Sequence, residues 1–253
     1  MITVDLNCDM GESTHLHPYH VDKDLSILPY ISSVNLACGF HAGDPHTMHQ
    51  LVEAALENQL AIGAHPSFPD RENFGRTNLQ LSPDRVYDFV LYQVGALQAF
   101  LQVYHARLHH VKAHGALYNM AAKDPALAGA VCQAVKDLDP QAMIYGLAGS
   151  ELIREAHKRG LQAVGEAFAD RTYRQDGSLT PRSEPGSLIG DAAASLRQVL
   201  QLLQSGTVQT SGGETVSIQA GTICIHGDGK HALLFAQTIY GSLKQHHVSI
   251  TPP

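Results

Sequence analysis

Long apolar runs are missing from this 253-residue chain: no segment approaches the roughly 18 to 20 consecutive apolar residues that cross a bilayer. A membrane span is therefore not expected, and residues 1–12 open as an acidic, strand-like stretch, without the basic and apolar regions of a signal peptide. Positive charge is scarce too. The 17 Lys and Arg face 24 Asp and Glu for a formal charge of -7, and no Lys/Arg run offers a face to a nucleic acid backbone. Cysteine is limited to Cys8, Cys38, Cys132 and Cys224 with no C-x-x-C pair, which favours four reduced, buried thiols over a disulfide framework. Familiar catalytic motifs are absent: H-E-x-x-H, the G-x-S-x-G elbow and a G-x-G-x-x-G after the first strand. "HGDGKHA" fails as a phosphate loop because Cys224 stands where Gly is required and His231 where Ser or Thr is required. A soluble, cytoplasmic protein with neither nucleic acid nor membrane as partner is expected.

What is present is alternation. With 44% hydrophobic residues the chain can bury one large core, so a single domain over residues 1–253 is expected. Short runs of branched apolar residues fall near 2–7, 32–37, 60–64, 109–113, 142–147, 162–167 and 221–226. Helical periodicity falls between them, near 45–58, 83–105, 116–138, 150–159, 191–204 and 230–245, which is the pattern of a parallel sheet built from βα units. Asp44-Pro45, Ser82-Pro83 and Asp124-Pro125 each place a capping side chain before a proline at the first helical position. Gly160 and Gly206 follow helix ends. Two stretches break the rhythm: a hairpin around Ser-Gly-Gly at 207–219, and a polar loop at 170–191, long enough to be a lid or substrate-binding loop.

In parallel α/β folds the loops after the strands' carboxyl ends share one face. That rule gathers Asn7, Asp9 and Glu12; His41 and Asp44; His65 with Asp70, Arg71 and Arg76; Lys112 and His114; Glu166, Asp170 and Arg171; and His226 and Asp228. A lone histidine after a strand is ordinarily a hydrogen-bonded structural residue, but six of seven strands ending in titratable groups point to an active site. Turn chemistry accounts for the Gly and Asp residues there but not for His41, His65, His114 or Lys112. Asp9, His41, His65 and His114 suit either acid/base work or a divalent metal, and both roles stay open. His46 lies five residues after His41 at a helix start and reads as solvated. Lys112 suits a developing oxyanion. Arg171 and Arg174 suit a carboxylate or phosphate, with a loop salt bridge as the plain alternative. His15, His17, His20, His246 and His247 read as surface residues.

The blocks "DLNCDMGES", "NLACGFHAGDP", "AIGAHPSFPDRENFGR", "VKAHGALYN", "EAFADRTYRQDGSLTPR" and "IHGDGKHA" resemble, in order and over nearly the whole chain, those of the LamB/YcsF family. The resemblance implies a distorted seven-stranded (β/α) barrel similar to polysaccharide deacetylases. It also implies a bacterial ATP-dependent 5-oxoprolinase that opens 5-oxo-L-proline to L-glutamate with two partner subunits resembling those of allophanate hydrolase. Under that chemistry the catalytic candidates are Asp9, His41, His65, Lys112 and His114. The substrate-binding candidates are Asn7, Glu12, Arg76, Glu166, Asp170, Arg171, His226 and Asp228. Lys112 and the histidines would face the oxyanion, Asp9 or His65 would activate water, and Arg171 or Arg76 would hold the substrate carboxylate. Alanine at Lys112, Asp9 or His114 is then expected to depress turnover far more than folding. Deacetylases on such barrels hold a metal with an H-x-x-x-H pair, from which His41-x-x-x-x-His46 departs by one residue. The competing readings are a stand-alone metal-dependent amidohydrolase or deacetylase, and a non-catalytic carrier of a small acid.

Overall fold

The alternating runs form a closed parallel barrel. The computed structural model describes residues 2–16, 18, 20–227 and 231–253. Its strands are β1 (Thr3–Met10), β2 (Ser33–Ala37), β3 (Ala61–His65), β4 (His110–Lys112), β5 (Met143–Leu147), β6 (Ala163–Phe168), β7 (Thr207–Gln209), β8 (Thr215–Ser217), β9 (Thr222–His226) and β10 (Ser249–Ile250). β1 to β6 pair in sequence order and β9 follows β6. β9 also pairs with β1, Asp5 opposite Thr222 and Asp9 opposite His226, which closes a seven-stranded barrel, every pair parallel. β7 and β8 form an antiparallel hairpin outside it. β10, which no periodicity announces, extends the sheet beside Thr3 and Val4.

The helices are α1 (Asp22–Leu25), α2 (Pro45–Glu57), α3 (Pro83–Val103), α4 (Gly115–Ala121), α5 (Pro125–Leu138), α6 (Glu151–Lys158), α7 (Ala192–Ser205) and α8 (Ala232–Gln245). The single helix expected over 116–138 is two. Pro125 has no N–H to continue a helix and drives the residue before it out of helical geometry, so Asp124 ends one segment and caps the next by accepting from Ala126 and Leu127. Asp44 does the same for α2 through His46 and Thr47. No helix among the described residues is long and apolar enough to cross a membrane. His15, His20, His246 and His247 are exposed, and His17 lies outside the described residues.

The alternation of β1 explains the barrel's interior. Leu6, Cys8 and Met10 join the apolar core, while Asp5, Asn7 and Asp9 point to the other face, into the lumen. (β/α)8 barrels fill their lumen with branched aliphatic layers; this lumen is filled with hydrogen bonds. Asp5 accepts from Ser32, Ser33 and Thr222 at 2.6, 2.7 and 2.6 Å. Asn7 donates to Thr222 and Glu166, and Asn35 donates to both Asn7 and Asp9 at 2.7 Å. His110 donates to Asn35 at 2.6 Å and stacks on Tyr145 with centroids 3.9 Å apart. The column holds Asp9 from beneath.

Gly63 gives the His110 ring its place, since a Cβ there would lie 2.2 Å from Nε2. Gly63→Ala must displace a ring clamped by Tyr145 and Asn35, and should destabilise the protein by about 1–3 kcal/mol, as overpacking does. The urea midpoint reads this, and an unchanged midpoint would show that the ring moves freely.

Candidate active site

The carboxyl ends of β1, β3, β4, β6 and β9, with the loop after β2, bring their polar side chains to one end of the barrel. The loop after β3 folds back over this end. Gly75, at φ +66°, allows that approach because a Cβ there would sit 2.8 Å from His41 Cβ. Arg71 secures the fold-back by donating to the Gly39 and Gly43 carbonyls, both at 2.9 Å. Asp70 accepts from Asn73 and the Thr77 N–H. Asp44, Asp70 and Arg71 thus shape loops and take no place in the site.

Four buried groups converge beside the lumen. Glu12 Oε1 lies 2.9 Å from His41 Nε2, 2.8 Å from His114 Nδ1 and 3.6 Å from His65 Nε2. His65 Nδ1 donates to the Lys112 carbonyl at 2.7 Å, and His114 Nε2 to the Phe74 carbonyl at 2.9 Å. A carbonyl only accepts, so these nitrogens carry the protons, and in neutral rings His65 Nε2 and His114 Nδ1 are bare. They face each other at 2.9 Å, beside a carboxylate oxygen. Two lone pairs and a carboxylate so arranged call for a cation, either a proton or a metal ion.

Glu12, His41, His65 and His114 each offer a ligand atom within 4.8 Å of the others. A tetrahedral set at zinc distances would space its donors by roughly 3.3 Å, near the separations here. Backbone carbonyls that fix the far nitrogens of His65 and His114 orient rings as metal ligands are oriented. The set has the chemistry to hold a divalent metal, and Glu12 stands in it where the sequence put Asp9. Burial, reinforced by His114, pushes His41 down to about 3, so its ring is neutral. Its Nδ1 is buried and finds no hydrogen-bond partner among the described residues. His46 is exposed, far from this role.

Beside this cluster lies an ion-pair network. Lys112 is 1% exposed, and its Nζ is surrounded by acceptors: Asp9 Oδ1 and Glu166 Oε1 at 2.8 Å, Cys224 Sγ at 3.0 Å and Asn7 Oδ1 at 3.2 Å. Its N–H groups are all engaged, so the oxyanion role expected for it falls away. Burial opposes charge on both Lys112 and Asp9, and their neighbours override it. Asp9 above all raises Lys112 well above the usual lysine range, while His65 and Lys112 hold the Asp9 carboxyl well below the carboxylate range. His65 Nε2 stands 3.4 Å from Asp9 Oδ2. Tyr118 donates to Glu166 Oε2 at 2.8 Å. Burial raises all four thiols, Cys38 and Cys132 to about 12, so none is a thiolate.

Next to Asp9, on the neighbouring strand, His226 Nδ1 donates to Asp170 at 2.8 Å and the ring stacks on Phe168. Burial raises the Asp170 carboxyl, but His226 outweighs it and the net shift is downward. With Nδ1 so engaged, Nε2 carries the free lone pair. Asp9, His65, Lys112, His114 and His226 line one cavity of about 950 Å³, at the upper end of the range for small-molecule sites.

Arg76 lies on the cavity wall with its guanidinium 4.7 Å over the Phe74 ring. Arg171 is buried there, donating to the Thr180 and Ser187 carbonyls. Arg174 pairs with Glu184 in an exposed salt bridge, and Asp228 lies outside the described residues. Asn7, Asp9, Glu12, His41, His65, Lys112, His114 and Glu166 thus form one network with Asp170 and His226 beside it. Sequence reasoning missed Asn35, His110, Tyr118 and Arg182. A polar Asn inside the buried run "SVNLA" was the one available signal.

The model of the LamB/YcsF family matches residues 4–253. A 5-oxoprolinase subunit from Brevibacillus brevis is 54% identical over 250 residues, covering 99% of this chain and 98% of the relative. The solved "lactam utilization protein" of Thermus thermophilus superposes with a TM-score of 0.90 at 44% identity over 99% of both chains. The catalytic domain of a peptidoglycan N-acetylglucosamine deacetylase from Eubacterium rectale shares the fold at a TM-score of 0.52 and 10% identity, covering 99% of this chain and 88% of that one.

Proposed function

The chain belongs to the LamB/YcsF family, and from that premise we propose that it is the lactam-opening subunit of an ATP-dependent 5-oxoprolinase. The single observation that carries the reading is Asp9, held ionised by Lys112 at the floor of the cavity. The reaction breaks the ring C–N amide bond of 5-oxo-L-proline and adds water oxygen to the ring carbonyl carbon. Transfer of the ATP γ-phosphoryl group to the amide oxygen makes that carbon electrophilic. A first water then adds, the ring nitrogen leaves as the amine, and a second water releases phosphate, giving glutamate, ADP and phosphate. Asp9 accepts the proton of the attacking water, the task of a base fixed in place by Asn35 and Lys112. His226, held by Asp170, relays that proton, accepting it from Asp9 on its bare Nε2 and passing it to the departing nitrogen. Two partner subunits complete the enzyme, in the cytoplasm, where ATP is supplied.

A divalent ion held by Glu12, His65 and His114, with His41 behind them, would polarise an oxygen of the substrate. Metal analysis of the purified protein should find on the order of one ion per chain. Glu12→Gln should lose it, read by metal content and by titration with added zinc or manganese; equal metal in both proteins would remove the ion from the site.

Mixing the chain with its partner subunits, ATP and 5-oxoproline tests the main reading, with glutamate and ADP measured together. Glutamate formed only when all are present supports it. The same cluster favours a second reading, a metal-dependent amidohydrolase acting alone: chelator-sensitive hydrolysis that ignores ATP would establish it. Ligand binding without turnover under any condition would leave a carrier.

A further inference from the structure

We propose that Arg182 is the specificity-determining residue that binds the carboxylate of the lactam acid, a proposal that rests on the activity just described. Five Lys or Arg side chains line the cavity: Arg76, Lys112, Lys123, Arg171 and Arg182. Lys112 is enclosed by Asp9, Glu166, Asn7 and Cys224. Arg171 gives its Nε and one terminal N–H group to backbone carbonyls. Arg76 lies over Phe74, and Lys123 is exposed at the end of α4. Arg182 is half-buried, and among the described residues no hydrogen bond or ion pair engages its guanidinium.

The segment that carries Arg182 is held for a purpose the sequence assigned elsewhere. Arg171 reaches the carbonyls of Thr180 and Ser187, two residues before Arg182 and five after it. Ser187 Oγ donates to the Arg182 carbonyl, and the Glu184 N–H bonds to that of Pro181. Arg171 is thereby the positioning residue and Arg182 the donor. The Arg182 charge is felt at Arg171, which burial and Arg182 together lower to about 10, and at Asp170, the partner of His226. Two neighbouring guanidinium groups, neither in an ion pair among the described residues, are relieved by a carboxylate, whose geometry matches the planar N–H fork. A bound lactam acid would then lie with its carboxylate toward the 180–187 segment and its ring amide toward Asp9 and His226.

The test uses the reconstituted complex with this chain limiting. 5-Oxo-L-proline is compared with its neutral carboxamide for wild type, Arg182→Gln and Arg182→Lys. Arg182→Gln should raise KM for the acid by about 30-fold, the loss of a charge-assisted hydrogen bond, with kcat changed less than about threefold. Arg182→Lys should recover part of that loss, and kcat/KM for the carboxamide should stay unchanged. An unchanged KM for the acid, or equal losses on acid and carboxamide, would overturn the proposal; equal losses would mean that Arg182 meets a group both share, such as a phosphoryl group. Wild-type complex that makes no glutamate at all would instead refute the proposed activity.

Discussion

Lys112→Met is expected to cost the protein its fold and not only its turnover. Lys112 is the cation between two buried carboxylates, Asp9 and Glu166, both 2.8 Å from Nζ. Methionine fills most of the volume and leaves both acids without it, and breaking a buried pair from one side destabilises by about 3–5 kcal/mol. That is a large share of the ~5–15 kcal/mol by which folded proteins are stable. In the wild type, Asp9 is lowered against its burial, so its contribution is present above the unfolded carboxylate range and is lost as pH falls through the folded value. In the variant one of the main supports of that ionisation is gone. The urea midpoint should drop most at pH 7, and the gap from wild type should narrow toward pH 5 as the carboxyl takes a proton. Adding Asp9→Asn and Glu166→Gln to Lys112→Met removes the stranded charges and should recover most of the loss. A Lys112→Met protein with a wild-type midpoint would refute the account. The sequence alone led to the opposite expectation for this residue, because burial of its ammonium group between two acids is a tertiary fact.

The gathering of residues was legible because it follows from connectivity: in a parallel barrel every strand delivers its last side chains to one end. Asp9, Glu12, His41, His65, Lys112, His114 and Glu166 needed only their positions after apolar runs. The end of β1 was not legible for a related reason. Asn7 and Asp9 read as the close of a strand because they are polar, yet β1 runs on to Met10, since this lumen is a hydrogen-bonded interior in which polar residues belong. His110 and Asn35 were hidden by the same expectation. The arginines failed differently. Whether a guanidinium meets a carbonyl, a ring or a cavity depends on how a loop closes, and no spacing in "DRTYRQDGSLTPR" separates Arg171, which anchors the loop, from Arg182, which faces the cavity. Asp44 and Asp70 were ambiguous because capping and catalysis select the same short carboxylate.

Asp9→Asn should show the reverse of Lys112→Met: an intact fold with turnover reduced by about 10³-fold, within the range for loss of a general base. The substitution is isosteric, and its amide oxygen can accept from Asn35 and Lys112 as the carboxylate does at 2.7 and 2.8 Å. Without the Asp9 charge that favours a protonated His65, Nε2 of that ring, now 3.4 Å from Oδ2, can accept from the new amide nitrogen. Lys112 keeps Glu166 as its counter-ion, so no charge is stranded, and the stability read by urea unfolding should fall by no more than about 1 kcal/mol. What disappears is the lone pair proposed to accept a proton from water. Asp9→Glu sharpens the comparison: it retains the base but pushes it outward by about one methylene, and a 1 Å misplacement is enough to lose about 10²-fold. Glutamate formation by the reconstituted complex measures all three proteins. If Asp9→Asn keeps turnover within tenfold of wild type, the base is another group, and His65 becomes the first to examine.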